Sequence, residues 1–188
     1  MNKPIRKAVR CFLIKDNKVV ACVSLKNNNI KNIESLIKLK DTLTWLELSH
    51  NNISDIESIK ELINLTWLSM ANNKISDISK ITDVENFEYL DFNYQNLEEE
   101  VLITVKSLEL KEIFKDRNLK IETSGNVEAN LNKNNIEFKN ATVGDKVVLI
   151  IDDNERLTTG SKITYKFLPI VSNNASLDVL TNKESDQY

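Results

Sequence analysis

Three segments of this chain superpose at a spacing of 22 residues: Leu46-x-Leu48-x-x-Asn51-x-Ile53, Leu68-x-Met70-x-x-Asn73-x-Ile75 and Leu90-x-Phe92-x-x-Gln95-x-Leu97. A fourth, Val23-x-Leu25-x-x-Asn28-x-Ile30, lies 23 residues upstream of the first, with one extra residue near Asp41-Thr42. The back half of each unit repeats as well. Ile56, Ile59, Leu62 and Leu65 recur as Ile78, Ile81, Val84 and Phe87, and Ile33, Leu36, Leu39 and Leu43 take that part earlier. A unit this short cannot bury its apolar side alone, so neighbouring units must stack into one continuous core. Each unit therefore reads as a coil: a short strand, a turn, and a short helical or 3₁₀ return. The Asn at a fixed place has a structural reason. Its amide can bond the backbone of the adjacent coil, where a tight turn would otherwise bury unpaired groups. Gln95 interrupts that series and reads as the end of the array.

Alternate residues of a strand point to opposite faces. If Leu46/Leu48, Leu68/Met70 and Leu90/Phe92 point inward, the outward columns follow. The first is Cys22, Trp45, Trp67 and Tyr89, and the second is Ser24, Glu47, Ser69 and Asp91. Lys26, Ser49, Ala71 and Asn93 come next, then Asn27, His50, Asn72 and Tyr94. Strands lie about 4.8 Å apart, so Trp45, Trp67 and Tyr89 form one column of rings. Exposed aromatic patches mark contact surfaces, and Trp and Tyr dominate interface hot spots. Glu47 and Asp91 give the column an acidic edge. His50 is the single histidine, and with no second His or paired Cys beside it, it is neither a metal ligand nor a general base.

The period stops after Leu97, where Glu98-Glu99-Glu100 breaks the pattern. Short alternating runs follow: Val101–Val105, Leu108–Phe114, Leu119–Glu122, Val127–Leu131, Ile136–Lys139, Val147–Ile151 and Lys162–Phe167. Turn signals separate them at Ser124-Gly125-Asn126, Asn132–Asn135, Val143-Gly144-Asp145 and Asp152-Asp153-Asn154. Seven short strands in this space predict a small β-sandwich.

The run Leu46–Ile81, with its Asn-x-Ile-Ser-Asp-Ile turns, resembles the 22-residue leucine-rich repeats of internalin-type bacterial proteins. The resemblance covers roughly residues 20–97. It implies an α/β solenoid with a parallel sheet on its concave face, a surface that grips other proteins. Glu112–Asp116 and Val143–Lys146 are similar to the immunoglobulin-like domain that follows such repeats, implying a module that caps the solenoid. The expected organisation is an N-terminal β-hairpin cap over 1–22, about four coils over 23–97, an immunoglobulin-like sandwich over 98–171 and a loose tail over 172–188. The opening hairpin also resembles the first strands of Nudix hydrolases, but the chain has no Gly before Gly125 and lacks that family's Glu-bearing helix.

Net charge is −3, which gives the chain no electrostatic reason to seek nucleic acid. The first 20 residues are nonetheless basic, six Lys and Arg against Asp16, which suits a strand edge protected from further pairing. No apolar run approaches the ~20 residues of a membrane helix, and Lys15–Lys18 splits the apolar stretches that a signal peptide would need intact. As it stands the sequence reads as cytoplasmic; the internalin resemblance implies a secreted or cell-surface setting for a piece of a longer protein. A two-residue turn at Asp16-Asn17 would set Cys11 opposite Cys22, a pairing that permits a disulfide without requiring one. With three Gly in total, phosphate-cradling loops are missing, and one histidine leaves no base for a Ser or Cys nucleophile. The expectation is a non-catalytic module without a cofactor. It would bind a protein partner through Trp45, Trp67, Tyr89, Glu47, Asp91, His50, Asn72 and Tyr94. A glycan-binding face and a self-associating structural element are the alternatives.

Overall fold

Two apolar residues two apart, followed by a polar turn, set a strand that buries one face and exposes the other. That pattern is what each coil displays. The computed structural model of the chain describes residues 9–15, 18–82, 87–152 and 157–170. The expected turn at Asp16-Asn17, the apolar position Val84, most of the Asp152–Asn154 turn and the tail from 172 lie outside them.

The first sheet has five strands in sequence order: β1 (Val9–Lys15), β2 (Lys18–Ser24), β3 (Leu43–Glu47), β4 (Trp67–Ser69) and β5 (Tyr89–Asp91). β1 and β2 form an antiparallel hairpin in which Cys11 pairs with Cys22, as the sequence predicts. β2 to β5 are parallel. The returns are 3₁₀ segments at Glu34–Leu39 and Glu57–Glu61 and a helical turn at Ser79–Thr82. The extra residue of the first coil falls beside Asp41-Thr42, where the partner of β2 steps from Leu43 to Trp45.

Leu46, Leu48, Leu68, Met70 and Phe92 are buried against Ile33, Leu36, Ile56, Ile59 and Ile81 from the returns, and Leu90 packs beside them partly exposed. Each fully buried aliphatic side chain contributes about 1.5–3 kcal/mol. Asn73 shows the ladder at work: its Nδ2 donates to the carbonyls of Leu48 (3.0 Å) and Met70 (2.9 Å), and its Oδ1 accepts from Ile53 N–H (3.0 Å). Asn51 does the same one coil earlier, with Leu25, Leu48 and Ile30.

Gln95 corrects the sequence reading. It continues the ladder: Nε2 donates to Met70 and Phe92 carbonyls (both 3.0 Å) and Oε1 accepts from Ile75 N–H (2.9 Å). Gln carries the same amide as Asn on one more methylene, so it serves the same backbone groups from a slightly longer reach.

Seven more strands form two sheets around a second core. They are β6 (Asn96–Leu102), β7 (Ser107–Glu109), β8 (Leu119–Ser124), β9 (Glu128–Asn132), β10 (Asn135–Lys139), β11 (Lys146–Ile151) and β12 (Lys162–Leu168). One sheet runs β7-β10-β9 and the other β6-β12-β11-β8. Phe138 meets Tyr165 and Phe167 edge-on at 5.6 and 5.0 Å between them. Two expectations change here. β6 runs through Glu98–Glu100 instead of starting at Val101, because an edge strand can turn alternate Glu to solvent while Leu97 and Val101 stay buried. The run Leu108–Phe114 divides into β7 and a 3₁₀ turn, Glu112–Phe114, that buries Ile113 and Phe114.

The two parts join through a segment that no periodicity announces. Phe92 N–H donates to Leu157 O (2.8 Å) and Tyr94 N–H to Thr159 O (2.9 Å). Met70 and Asn72 donate to Asp91 and Asn93 in the same way (2.7 and 3.0 Å). Residues 157–161 thus stand where a further coil would. Thr158 takes the inward place of Phe92 and is wholly buried. Ser161 takes the place of Gln95, and its Oγ accepts from Gln95 N–H (2.9 Å).

Candidate functional site

The sheet face turned away from the returns carries the columns that the repeat predicts. Trp45 pairs in register with Trp67 and Trp67 with Tyr89. Their rings stack in parallel, with centroids 4.4 and 4.7 Å apart and planes inclined by 15° and 8°. Trp67 therefore has a ring against each face, and the two Trp residues are half-buried. Tyr89, at the end of the stack, is 42% exposed. The column offers a partner ring edges and one phenol.

Beside it, backbone donors hold both carboxylates. Ser49 N–H donates to Glu47 Oε1 (2.8 Å) and Asn93 N–H to Asp91 Oδ1 (3.0 Å). Ser69 Oγ donates to Asp91 Oδ2 (3.3 Å) and lies 2.7 Å from Ser49 Oγ. The sequence sets Ser49, Ser69 and Ala71 on the open surface; they are instead buried. Small side chains between larger neighbours form the floor of the face.

The last column has a shared backbone conformation. Asn27, His50, Asn72 and Tyr94 all have left-handed φ, between 56° and 59°. Asn tolerates this region; an aromatic residue there is an outlier. His50 and Tyr94 are exposed and Asn72 is half-buried. A small polar groove of about 140 Å³ runs past Asn72 and Tyr94, bounded also by Asn51, Asn52 and Asn96. A larger cleft of about 450 Å³ lies on the opposite side, between the 3₁₀ returns at Ile33–Ile37 and Asp55–Glu61. Its walls carry charges of both signs. Among the described residues no group of three His, Cys, Asp or Glu could hold a metal, and no helix is long and apolar enough to cross a membrane.

Residues 41–83 match the family model of leucine-rich repeats. The match takes in two repeat copies. Two solved structures share the fold of this chain, both from Listeria monocytogenes. One is the functional domain of InlJ, described as including a cysteine ladder, at 16% identity and a TM-score of 0.53 over 77% of this chain and 33% of that one. The other is InlP, at 15% identity and a TM-score of 0.50 over 78% of this chain and 52% of that one. The chain thus spans about a third of the first and half of the second. No curated protein matches it. The likeness to both solved structures is one of fold.

Partial burial, the Asp91 and Glu47 charges and a hydrogen bond to Asp91 push the Tyr89 phenol above its ordinary value. The Asp91 and Glu47 carboxylates thus both act on the exposed end of the ring stack. The repeat singles out the eight candidate residues and does not mark Gly160. Its φ is +68°, in the place of the pseudo-coil that corresponds to Tyr94, and a Cβ there would come within 2.6 Å of the Tyr94 ring. A lone Gly in Thr-Thr-Gly-Ser was the available signal.

Proposed function

We propose that this chain is a non-catalytic protein-binding module that holds its partner on the concave repeat face. The reading rests on the ring stack Trp45–Trp67–Tyr89, with Glu47 and Asp91 beside it and His50, Asn72 and Tyr94 further along the strands on the same side. Leucine-rich repeats generally mediate protein–protein contact. Tyr89 and Tyr94 are the two exposed anchors, 42% and 55% accessible, and a partner residue that excludes water around them would gain most of the binding energy there.

A glycan partner is the weaker alternative. Sugar rings stack on open aromatic faces, and both faces of Trp67 are occupied by its neighbours. Self-association through the column is the other. The domain division at 22/23, 97/98 and 171/172 accompanies the proposal, with residues 98–171 as an immunoglobulin-like module that closes the last coil. A secreted or cell-surface setting accompanies it too, through the fold shared with internalins.

The test uses the intact chain. Tryptophan emission is measured with acrylamide across a dilution series, and binders are selected from a displayed protein library. We expect quenchable emission that does not change on dilution. We also expect binders whose affinity falls about tenfold or more in the Tyr89→Ala/Tyr94→Ala variant. Emission that becomes quenchable only on dilution would identify self-association. Binders indifferent to the loss of both tyrosines would place the contact elsewhere.

A further inference from the structure

We propose that Cys11 and Cys22 form a redox site, a cross-strand dithiol that closes to an intramolecular disulfide at the head of the ring stack. They are the two cysteines of the chain, and the β1–β2 register makes them direct partners. Partners in an antiparallel pair share a face, with Cα atoms about 4.5 or 5.5 Å apart. Disulfides bridge Cα separations of about 4.4–6.8 Å, a range that takes in both kinds of pair. Cys22 carries a free, partly exposed thiol, which gives an oxidant access.

The site also has a place in the fold. β1 is the edge of the five-stranded sheet and has β2 as its one neighbour. Cys22 in turn pairs with Trp45. A bridge would tie the edge strand to the strand that starts the aromatic column.

The oxidant is a low-molecular-weight disulfide such as glutathione disulfide. The Cys22 thiolate attacks one of its sulfurs, forming a mixed disulfide and releasing one glutathione thiolate, which takes up a proton. The Cys11 thiolate then attacks the Cys22 sulfur and expels the second glutathione. Two protein thiols lose two electrons and two protons, and one small disulfide becomes two thiols.

The test incubates the full chain in an oxidising glutathione buffer, then quenches with acid, alkylates free thiols and measures intact mass. The expected product is a monomer that has lost both alkylatable thiols and carries no glutathione. Its tryptophan emission falls, because a disulfide beside an indole quenches it, and dithiothreitol restores the emission. Cys11→Ser, checked for native circular dichroism, should end with one glutathione on Cys22. A native chain that accumulates glutathione adducts or interchain dimers would overturn the proposal. So would two free thiols in buffer that does modify Cys11→Ser. A disulfide that leaves emission unaltered would remove it from the head of the column.

Discussion

The ring of Tyr94 lies over the backbone of Gly160, so close that a Cβ on Gly160 would sit 2.6 Å from both Cδ1 and Cε1. Both residues have left-handed backbones, φ +58° and +68°. They mark the junction where the last coil meets residues 157–161. Gly160→Ala should therefore act twice: it strains a left-handed position by about 1–2 kcal/mol, and it forces the Tyr94 ring out of place. Urea unfolding should show a loss of at least the backbone contribution. A variant as stable as the native chain would mean that the junction does not depend on this contact.

His50 occupies the place that Asn27 and Asn72 hold in other coils, with φ +58° and an exposed side chain. Asn is the residue that tolerates this backbone best after Gly. His50→Asn should raise stability by a few tenths to about 1 kcal/mol, read as a higher thermal midpoint. If His50 belongs to the partner surface, the same substitution weakens binding while it stabilises the fold. A binding residue held against local preference would give that opposed pair of results.

Most of the repeat sheet could be read from spacing, because a coil that stacks must repeat its inward Leu, its outward ring and its amide at equal intervals. Trp45, Trp67 and Tyr89 came into register for that reason. The junction could not be read so. Residues 157–161 supply a coil's worth of hydrogen bonds from far along the chain, where neighbouring residues impose no period. Ser161 fills the amide position with a different chemical group, so nothing in its type marks it. Glu98–Glu100 misled for another reason: three charges look like a break, yet alternate side chains of an edge strand can stay in water. The Gln95 misreading came from weighing residue identity above the amide it shares with Asn.

Asn73 tests how much the amide ladder contributes. It is 1% exposed, and its side chain serves the Leu48 and Met70 carbonyls and the Ile53 N–H. Asn73→Ala leaves these groups buried without the partner they had, at about 1–3 kcal/mol for each lost partner, reduced by any water that enters. We expect a loss of about 3 kcal/mol by urea unfolding. Asn28→Ala should cost clearly less, because Asn28 is half-buried where Asn73 is almost wholly buried. Equal losses would show that burial between coils is not what gives the amide its weight.

Asp145 gives the second module a pH dependence. Its carboxylate accepts from Thr142 N–H (2.9 Å) and Asn126 N–H (3.2 Å), and these backbone bonds hold its pKa below the ordinary aspartate value. A depressed folded pKa adds stability above the unfolded value, near ~3.9, and that stability drains away as pH falls through the folded value. The urea midpoint of the native chain should therefore drop between neutral and acid pH more steeply than that of Asp145→Asn. Parallel pH profiles would contradict this. Gly125→Ala probes the same turn from the other side, since φ is +91° and its Cβ would meet Asp145 Oδ1 at 1.8 Å.

Tyr89 reports the potential of the open face without any partner. Its phenol is held up by partial burial first, then by the Asp91 and Glu47 charges and the Asp91 hydrogen bond. An alkaline titration followed by ultraviolet absorbance, taken as the difference between the native chain and Tyr89→Phe, isolates this one phenol. It should ionise above the ordinary tyrosine value of about 10. Asp91→Asn removes a charge and the strongest acceptor together, so the Tyr89 signal should move down. Glu47→Gln should move it less, since Glu47 contributes charge alone. Added salt should lower the native value but leave the doubly substituted chain nearly unchanged, because screening acts on the carboxylates and not on burial. If the phenol titrates at its ordinary value, or neither carboxylate moves it, the ring stack does not sit in a negative field. A cationic partner residue would then have no electrostatic reason to settle beside Tyr89.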